Sequence, residues 1–194
     1  MSSLERRLIE VGVELLETKG PEHLGLREIA RQAGVSHGAP RRYFPTHRLL
    51  LVAIAKAGLV DLTADLQRAL PETGSAGMRL EQVALAYLEF AQRRPEMFRL
   101  MFRHDILADP QTSHSGQHLR EIWLPLLAQI TQVIETDFPG AGSADERALL
   151  LWTHVHGIAT LATGLTLEPA GFQGQAPHLV QKAVEAQLTS PGRR

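Results

Sequence analysis

The sequence predicts an all-α fold of about nine helices: three short ones, a long connector, and then a larger bundle. Three observations carry this. Apolar residues recur at three- and four-residue intervals through most of the chain. No stretch alternates apolar and polar positions with β-branched enrichment, as a half-buried strand would. Ser, Thr, Gly and Pro fall where such segments begin and end. With 194 residues, 44% hydrophobic but only 5% aromatic, the chain can bury a sizeable core made mostly of Leu, Ala, Val and Ile.

The first helix follows from Leu4, Leu8, Val11, Leu15 and Leu16, with Ser2 and Glu5 spaced as a capping box and Gly20-Pro21 as its stop. Leu26, Ile29, Ala30 and Ala33 give a short second helix ended by Gly34. Ser36 is placed to cap a third helix through Phe44, with Pro40 tolerated in its first turn. Pro45 breaks the chain, and Thr46 can cap a long helix to about Leu70. Residues 71–77, PETGSAG, read as a linker. Beyond it the pattern predicts helices over Met78–Arg93, from Pro95 through EMFRLMF, and over His118–Thr136, the last kinked at Pro125. Residues 104–117 read as a loop. Ser143 and Glu146 are spaced as a second capping box, opening a helix to about Leu167, and His178–Leu188 closes the chain.

There is no cysteine, which excludes disulfides, thiolate metal sites and cysteine nucleophiles. No apolar run approaches the roughly 18 residues of a membrane span. The expectation is a soluble, cytoplasmic protein. Net charge is only −1, but it is unevenly spread: residues 1–48 hold eight Lys/Arg against six Asp/Glu. Between residues 27 and 48, Arg27, Arg31, Arg41, Arg42 and Arg48 face Glu28 alone, a local basic patch suited to phosphate.

The second and third short helices, joined at Gly34, form a helix-turn-helix pattern. Ile29 and Ala30 pack inward, Ala33 admits a close neighbour, and Val35 plugs the junction. The start of the second helix of such a pair enters the DNA major groove. Gly38 and Ala39 are small there, and Arg41, Arg42 and Tyr43 follow. The run LREIARQAGVSHGAPRRYFPTHRLLL resembles the DNA-binding domain of the TetR, or tetracycline repressor-like, family of bacterial regulators. Arg27, Ile29, Ala30, Ala33, Gly34, Val35, Ser36, Gly38 and Phe44 match its usual pattern. The chain departs from that pattern at four places. Arg41 stands for a phosphate-contacting Tyr, Tyr43 for a His, His47 for a Lys, and Gly25 for a helix-capping Thr or Ser.

That resemblance implies a helix-turn-helix DNA-binding domain over 1–48. A ligand-binding and dimerisation domain follows over 49–194, its connecting helix at 49–70. It implies a ligand-responsive regulator, a repressor released from its operator by a small molecule. The homodimer, formed through the last two long helices, would bind a near-palindromic double-stranded DNA operator. Arg27 and His47 would hold the DNA backbone, with Ser36 capping and touching phosphate. His37, Ala39 and Arg42 would face base edges across the small Gly38, with Arg41 and Tyr43 on phosphate or the groove wall.

Farther along, Trp152, His156 and Gly157 resemble a Trp-His-Gly signature of one class of TetR C-terminal domains. Gly157 would admit a neighbouring helix. Trp152 and His156 share a helix face. With Tyr87, Phe90, Met97, Met101, Phe102, Trp123 and Leu127 they make a candidate apolar lining for an unidentified small-molecule effector. No cofactor is expected. His114 and His118, with His104, Asp105 or Asp109, lack the fixed spacing of a metal site and read as solvated loop. No nucleophile, base and orienting group converge, so an enzyme is not expected. The alternative is a dimeric small-molecule-binding protein of the same fold that lacks specific DNA binding.

Overall fold

The computed structural model describes residues 1–103, 113–138, 142–164, 167, 171–172 and 174–188, without the side chains of 113–122. Its described residues form eight α-helices and two short 3-10 turns, with no strand among them. The chain divides into two compact units, Met1–Asp61 with Arg94–Glu121, and Leu62–Arg93 with Ile122–Arg194.

In the first unit, α1 (Ser3–Lys19) opens with both halves of its capping box. Glu5 N–H donates to Ser2 Oγ (3.1 Å), and Ser2 N–H donates to Glu5 Oε2 (3.2 Å). Leu8, Leu15 and Leu16 are buried along its inner face, each worth about 1.5–3 kcal/mol of hydrophobic stabilisation. Gly12 lets α1 approach the long helix α3 (His47–Ala69): a Cβ there would come within 2.5 Å of Ile54 Cδ1. After a 3-10 turn over Pro21–His23 comes α2 (Leu26–Gln32), whose Gly25 start carries no side-chain cap.

α2 ends in a Schellman motif. Val35 N–H donates to Ala30 C=O (3.0 Å) and Gly34 N–H to Arg31 C=O (3.2 Å), with Gly34 left-handed at φ 67°. The expected helix from Ser36 to Phe44 is not α-helical. Residues 37–39 form a turn and Pro40–Arg42 a 3-10 turn. Pro40 has no N–H to give Ser36 C=O, so Ala39 N–H takes that acceptor one residue early (3.0 Å) and the coil tightens. Ser36 therefore makes no capping bond. Pro40 and Phe44 are buried and hold the segment down.

Thr46 does cap α3, its Oγ1 accepting from Leu49 N–H (3.2 Å). α5 (Pro95–Met101) packs with α1 and α3. Met97 and Met101 lie over Gly58 of α3, where a Cβ would collide with both sulfurs. Arg94 ties the elements together, donating from Nε to Glu17 and from Nη1 to Asp61 Oδ2 (2.8 Å).

The second unit is built on α4 (Ala76–Arg93), α7 (Ala144–Thr163) and α8 (Ala176–Leu188), packed mutually, with part of α6 (Ser113–Asp137). α6 begins at Ser113, so residues 113–117 are helical rather than loop; Pro125 lies inside it. α7 ends at Thr163, four residues before the expected Leu167, and Ser143 Oγ accepts from Glu146 N–H at its start (3.3 Å). Arg147 is buried and has no carboxylate partner among the described residues. Its Nε and Nη2 donate to Gln187 C=O at the end of α8, and Nη1 donates to Phe138 C=O just past α6 (3.4 Å). A cation at two helix C-termini meets their unpaired carbonyls and dipoles. No helix of the described residues is long and apolar enough to cross a membrane.

Candidate functional site

Two places in the fold gather the residues singled out by the sequence. The first is the surface that follows α2. Arg27, Ser36, His37, Gly38, Arg41 and Arg42 are exposed, and Ala39 and Tyr43 are half-buried. The alternation follows from the two anchors: Pro40 and Phe44 point in, so Arg41 and Arg42 between them point out.

The arginines of the patch differ in their partners. Arg31 is held bidentately by Glu28, Nε to Oε2 at 2.8 Å and Nη2 to Oε1 at 2.6 Å. These bonds, with a further one from Gln32, lower the Glu28 carboxyl from 4.5 to about 2. Arg27, Arg41 and Arg42 have no ion-pair partner among the described residues. They are the cations left available for an external anion.

Gly38 is informative by what surrounds it. Its φ is not left-handed, and a Cβ there would have nothing within 4 Å. Neither backbone conformation nor internal packing requires glycine at this position. Gly34, by contrast, needs its positive φ.

His47 is placed differently from the expectation of a phosphate anchor. Its Nε2 lies 2.9 Å from Leu24 C=O. A carbonyl only accepts, so Nε2 carries the proton and donates. The ring is thereby tied to the loop before α2, leaving Nδ1 as its remaining polar atom. That tie spans 23 residues of sequence and no local pattern announces it.

The second place is a small cavity inside the second unit. It is walled by Leu66 of α3, Leu80, Val83, Ala84 and Tyr87 of α4, Trp123 and Ile130 of α6, and Leu151, Trp152 and Val155 of α7. About 30 Å³ of it admits water-sized spheres, within an envelope of about 350 Å³. Tyr87 Oη and His156 Nδ1 are 2.8 Å apart. Trp152 stacks on His156 (5.5 Å between centroids, 26°) and tilts against Trp123 (5.8 Å, 57°), and Trp123 meets Tyr87 edge-on (6.3 Å). Burial pushes the Tyr87 phenol far above its ordinary range, with the Trp152 indole N–H acting in the opposite direction. That indole Nε1 is itself buried and satisfies no hydrogen-bond geometry among the described residues.

Of the expected lining, Tyr87, Trp123 and Trp152 line the cavity and His156 joins through its bond to Tyr87. Phe90, Met97, Met101, Phe102 and Leu127 are not among its walls. Phe90 is buried beneath the Arg93 guanidinium, Met97 and Met101 cover Gly58, and Phe102 packs on Phe98 in the first unit. Flexible and aromatic residues fill cores as readily as they line pockets, so composition alone could not separate the two. The walls that sequence reading missed, Leu80, Val83 and Leu151 among them, carry only the helical core spacing. The residues around His104, Asp105 and Asp109, and the side chains of His114 and His118, lie outside those described. Among the described residues no group of His, Asp and Glu could hold a metal ion.

Residues 8–54 match the bacterial regulatory proteins of the tetR family, and residues 80–186 match the tetracyclin repressor-like C-terminal domains. The second match alone covers more than half of the chain. The chain belongs to the TetR family. That family is one of bacterial regulatory proteins. Among curated relatives it is 28% identical over 111 residues to the HTH-type transcriptional activator FasR of Mycolicibacterium smegmatis, 56% of this chain and 51% of that one. It is 24% identical over 148 residues to the nucleoid occlusion factor SlmA of Haemophilus ducreyi, 75% of this chain and 72% of that one. The chain thus spans about half the length of FasR.

A solved structure of a Rhodococcus sp. RHA1 protein of unknown function is 31% identical, covers 97% of this chain and 95% of its own, and superposes with a TM-score of 0.76. Thermus thermophilus FadR, a TetR family repressor in complex with lauroyl-CoA, shares the fold at 19% identity and a TM-score of 0.69, over 98% and 96% of the two chains.

Proposed function

We propose that this TetR family protein is a ligand-responsive repressor. It binds a near-palindromic operator in double-stranded DNA as a homodimer and is released by a small molecule held in the cavity of the second unit. The observation that carries the DNA reading is the surface around Gly38. An exposed glycine with no internal need to be one is followed closely in the chain by the exposed Arg41 and Arg42, which have no ion-pair partner among the described residues. Close approach of a phosphate backbone uses both properties.

On this reading Arg41, Arg27 and the Ser36 hydroxyl contact phosphate, Tyr43 lies on the groove wall, and His37, Ala39 and Arg42 face base edges. His47 positions the loop before α2 instead of reaching for phosphate. Dimerisation is supported by α7, where the exposed Leu150 and Leu161 share a helix face with the half-buried Gly157. A Cβ on Gly157 would meet nothing within 4 Å, so the neighbouring helix it admits is sought on a second copy. Two recognition segments about 34–36 Å apart would then read successive major-groove faces. Helix α3 begins in the DNA-binding unit and supplies Leu66 to the cavity wall, which gives the effector a continuous element through which to act. The protein is placed in the bacterial cytoplasm, on the nucleoid when bound.

The uncapped Gly25 and the tethered His47 favour the alternative, a dimeric binding protein of this fold without specific DNA binding. A gel-shift screen of DNA flanking its own gene decides between them. Saturable, sequence-selective binding supports the regulator with a specific operator; uniformly weak binding to all fragments supports the alternative.

A further inference from the structure

We propose that the cavity takes a compact, neutral ligand with a largely apolar body and one carbonyl oxygen, and that Trp152 Nε1 donates a hydrogen bond to that oxygen. This rests on the reading of the second unit as an effector site and says which chemistry it recognises. Three observations support it. None of the described residues walling the cavity is charged. A carboxylate, phosphate or ammonium would lose its hydration there without gaining a counter-charge, and burying an unpaired ion is strongly unfavourable. The Tyr87 hydroxyl at its edge does not change this. Tyr87 is kept protonated by burial and is bonded to the His156 ring, so it offers a dipole and not a charge.

The second observation is the orphaned donor. An indole N–H can only donate, and a buried donor without an acceptor is costly. Trp152 walls the cavity and its buried Nε1 meets no acceptor in hydrogen-bond geometry among the described residues; the Tyr87 oxygen near it is engaged with His156 at 2.8 Å and not aligned with the indole N–H. A carbonyl oxygen, an acceptor with two lone pairs, satisfies it. Water is a poor substitute, because it needs two to four polar partners and these walls are almost wholly apolar. The third is size. The cavity has room for one or two waters, so the ligand is compact, and one carrying a ring fits only when the tilted Trp123–Trp152 pair separates to admit it.

The chain has two tryptophans, and both wall the cavity. Their emission and their two indole N–H resonances therefore report binding directly. Three UV-transparent probes share one ring: cyclohexyl methyl ketone, isopropylcyclohexane and cyclohexanecarboxylate. With the full-length protein the ketone is expected to bind saturably and to move one indole N–H resonance downfield, while the carboxylate does not bind at the same concentrations. Trp152→Phe is expected to weaken the ketone about tenfold and to leave isopropylcyclohexane within about twofold, with Trp123 still reporting. Trp123→Phe should keep the wild-type response of the ketone's indole partner. Carboxylate binding as tight as the ketone's, an equal effect of Trp152→Phe on ketone and hydrocarbon, or no saturable response to any probe overturns the proposal. If Trp152→Phe does not fold, the wild-type resonance shift and the ketone–carboxylate contrast decide. A ligand-free gel shift on the same preparation reports the DNA-binding reading separately, so the two can fail independently.

Discussion

Arg31 and Arg42 carry the same charge and stand in different surroundings. Arg31 is neutralised by Glu28 at hydrogen-bond distance, whereas Arg42 has no carboxylate beside it. Replacing Arg42 by Ala is expected to relax sequence preference at one base pair by about 1–3 kcal/mol, read from binding to a set of point-substituted operators. An equal loss on every sequence would make Arg42 a phosphate contact. For Glu28 the folded carboxyl titrates below its unfolded value of 4.5, at about 2. Its stabilising contribution is therefore present above the ordinary range and is lost as pH falls toward 2. A carboxyl NMR titration should find Glu28 titrating well below the exposed glutamates, and Arg31→Ala should return it toward 4.5. The Glu28–Arg31 pair is legible in sequence because it lies three residues apart on one helix. The His47–Leu24 tie is not, because only the tertiary fold brings those residues together.

Within the recognition element, two glycines four residues apart answer to different physics. Gly34 closes the Schellman motif of α2 in a left-handed conformation, so Gly34→Ala is expected to cost about 1–2 kcal/mol and lower Tm. Gly38→Ala should leave Tm unchanged or slightly raised while weakening DNA binding, since the methyl meets open space in the protein and the phosphate backbone outside it. A fall in Tm with unchanged DNA binding would reverse that assignment. The boundaries of α1, α2 and α3 were readable because caps and stops mark them: Ser2 with Glu5, Gly34, and Thr46. The segment from Ser36 to Phe44 departs from the α-helix that its cap residue predicts, because Pro40 sits where the first helical N–H is needed. α7 is marked too, by the Ser143 cap at its start and by Gly164 after its last turn, whereas no Gly or Pro stop follows Asp137 directly at the end of α6. There Arg147 binds the ends of α6 and α8 together. Arg147→Met should strand those carbonyls and cost about 1.5–3 kcal/mol. For a chain of this size that lowers Tm by about 2–4 °C per kcal/mol, measurable by calorimetry.

At the scale of the whole molecule, the all-helical class and the family were legible from periodicity and from one run of residues. The cavity was only half legible. Tyr87, Trp123, Trp152 and His156 stand out as aromatic residues on helix faces, but Met97 and Met101 stand out equally and serve the packing of α5 on α3, and Phe102 packs on Phe98. The central claim is that the surface after α2, with Arg41 and Arg42 exposed and without carboxylate partners, meets the DNA backbone. Its most direct test is the salt dependence of DNA binding for the wild type and for the Arg41→Ala/Arg42→Ala variant. The wild type is expected to give a steep linear fall of log K with log salt, about −0.9 per phosphate neutralised. The variant should bind more weakly, with a slope shallower by about one for each phosphate contact removed. An unchanged slope and affinity in the variant would contradict the account.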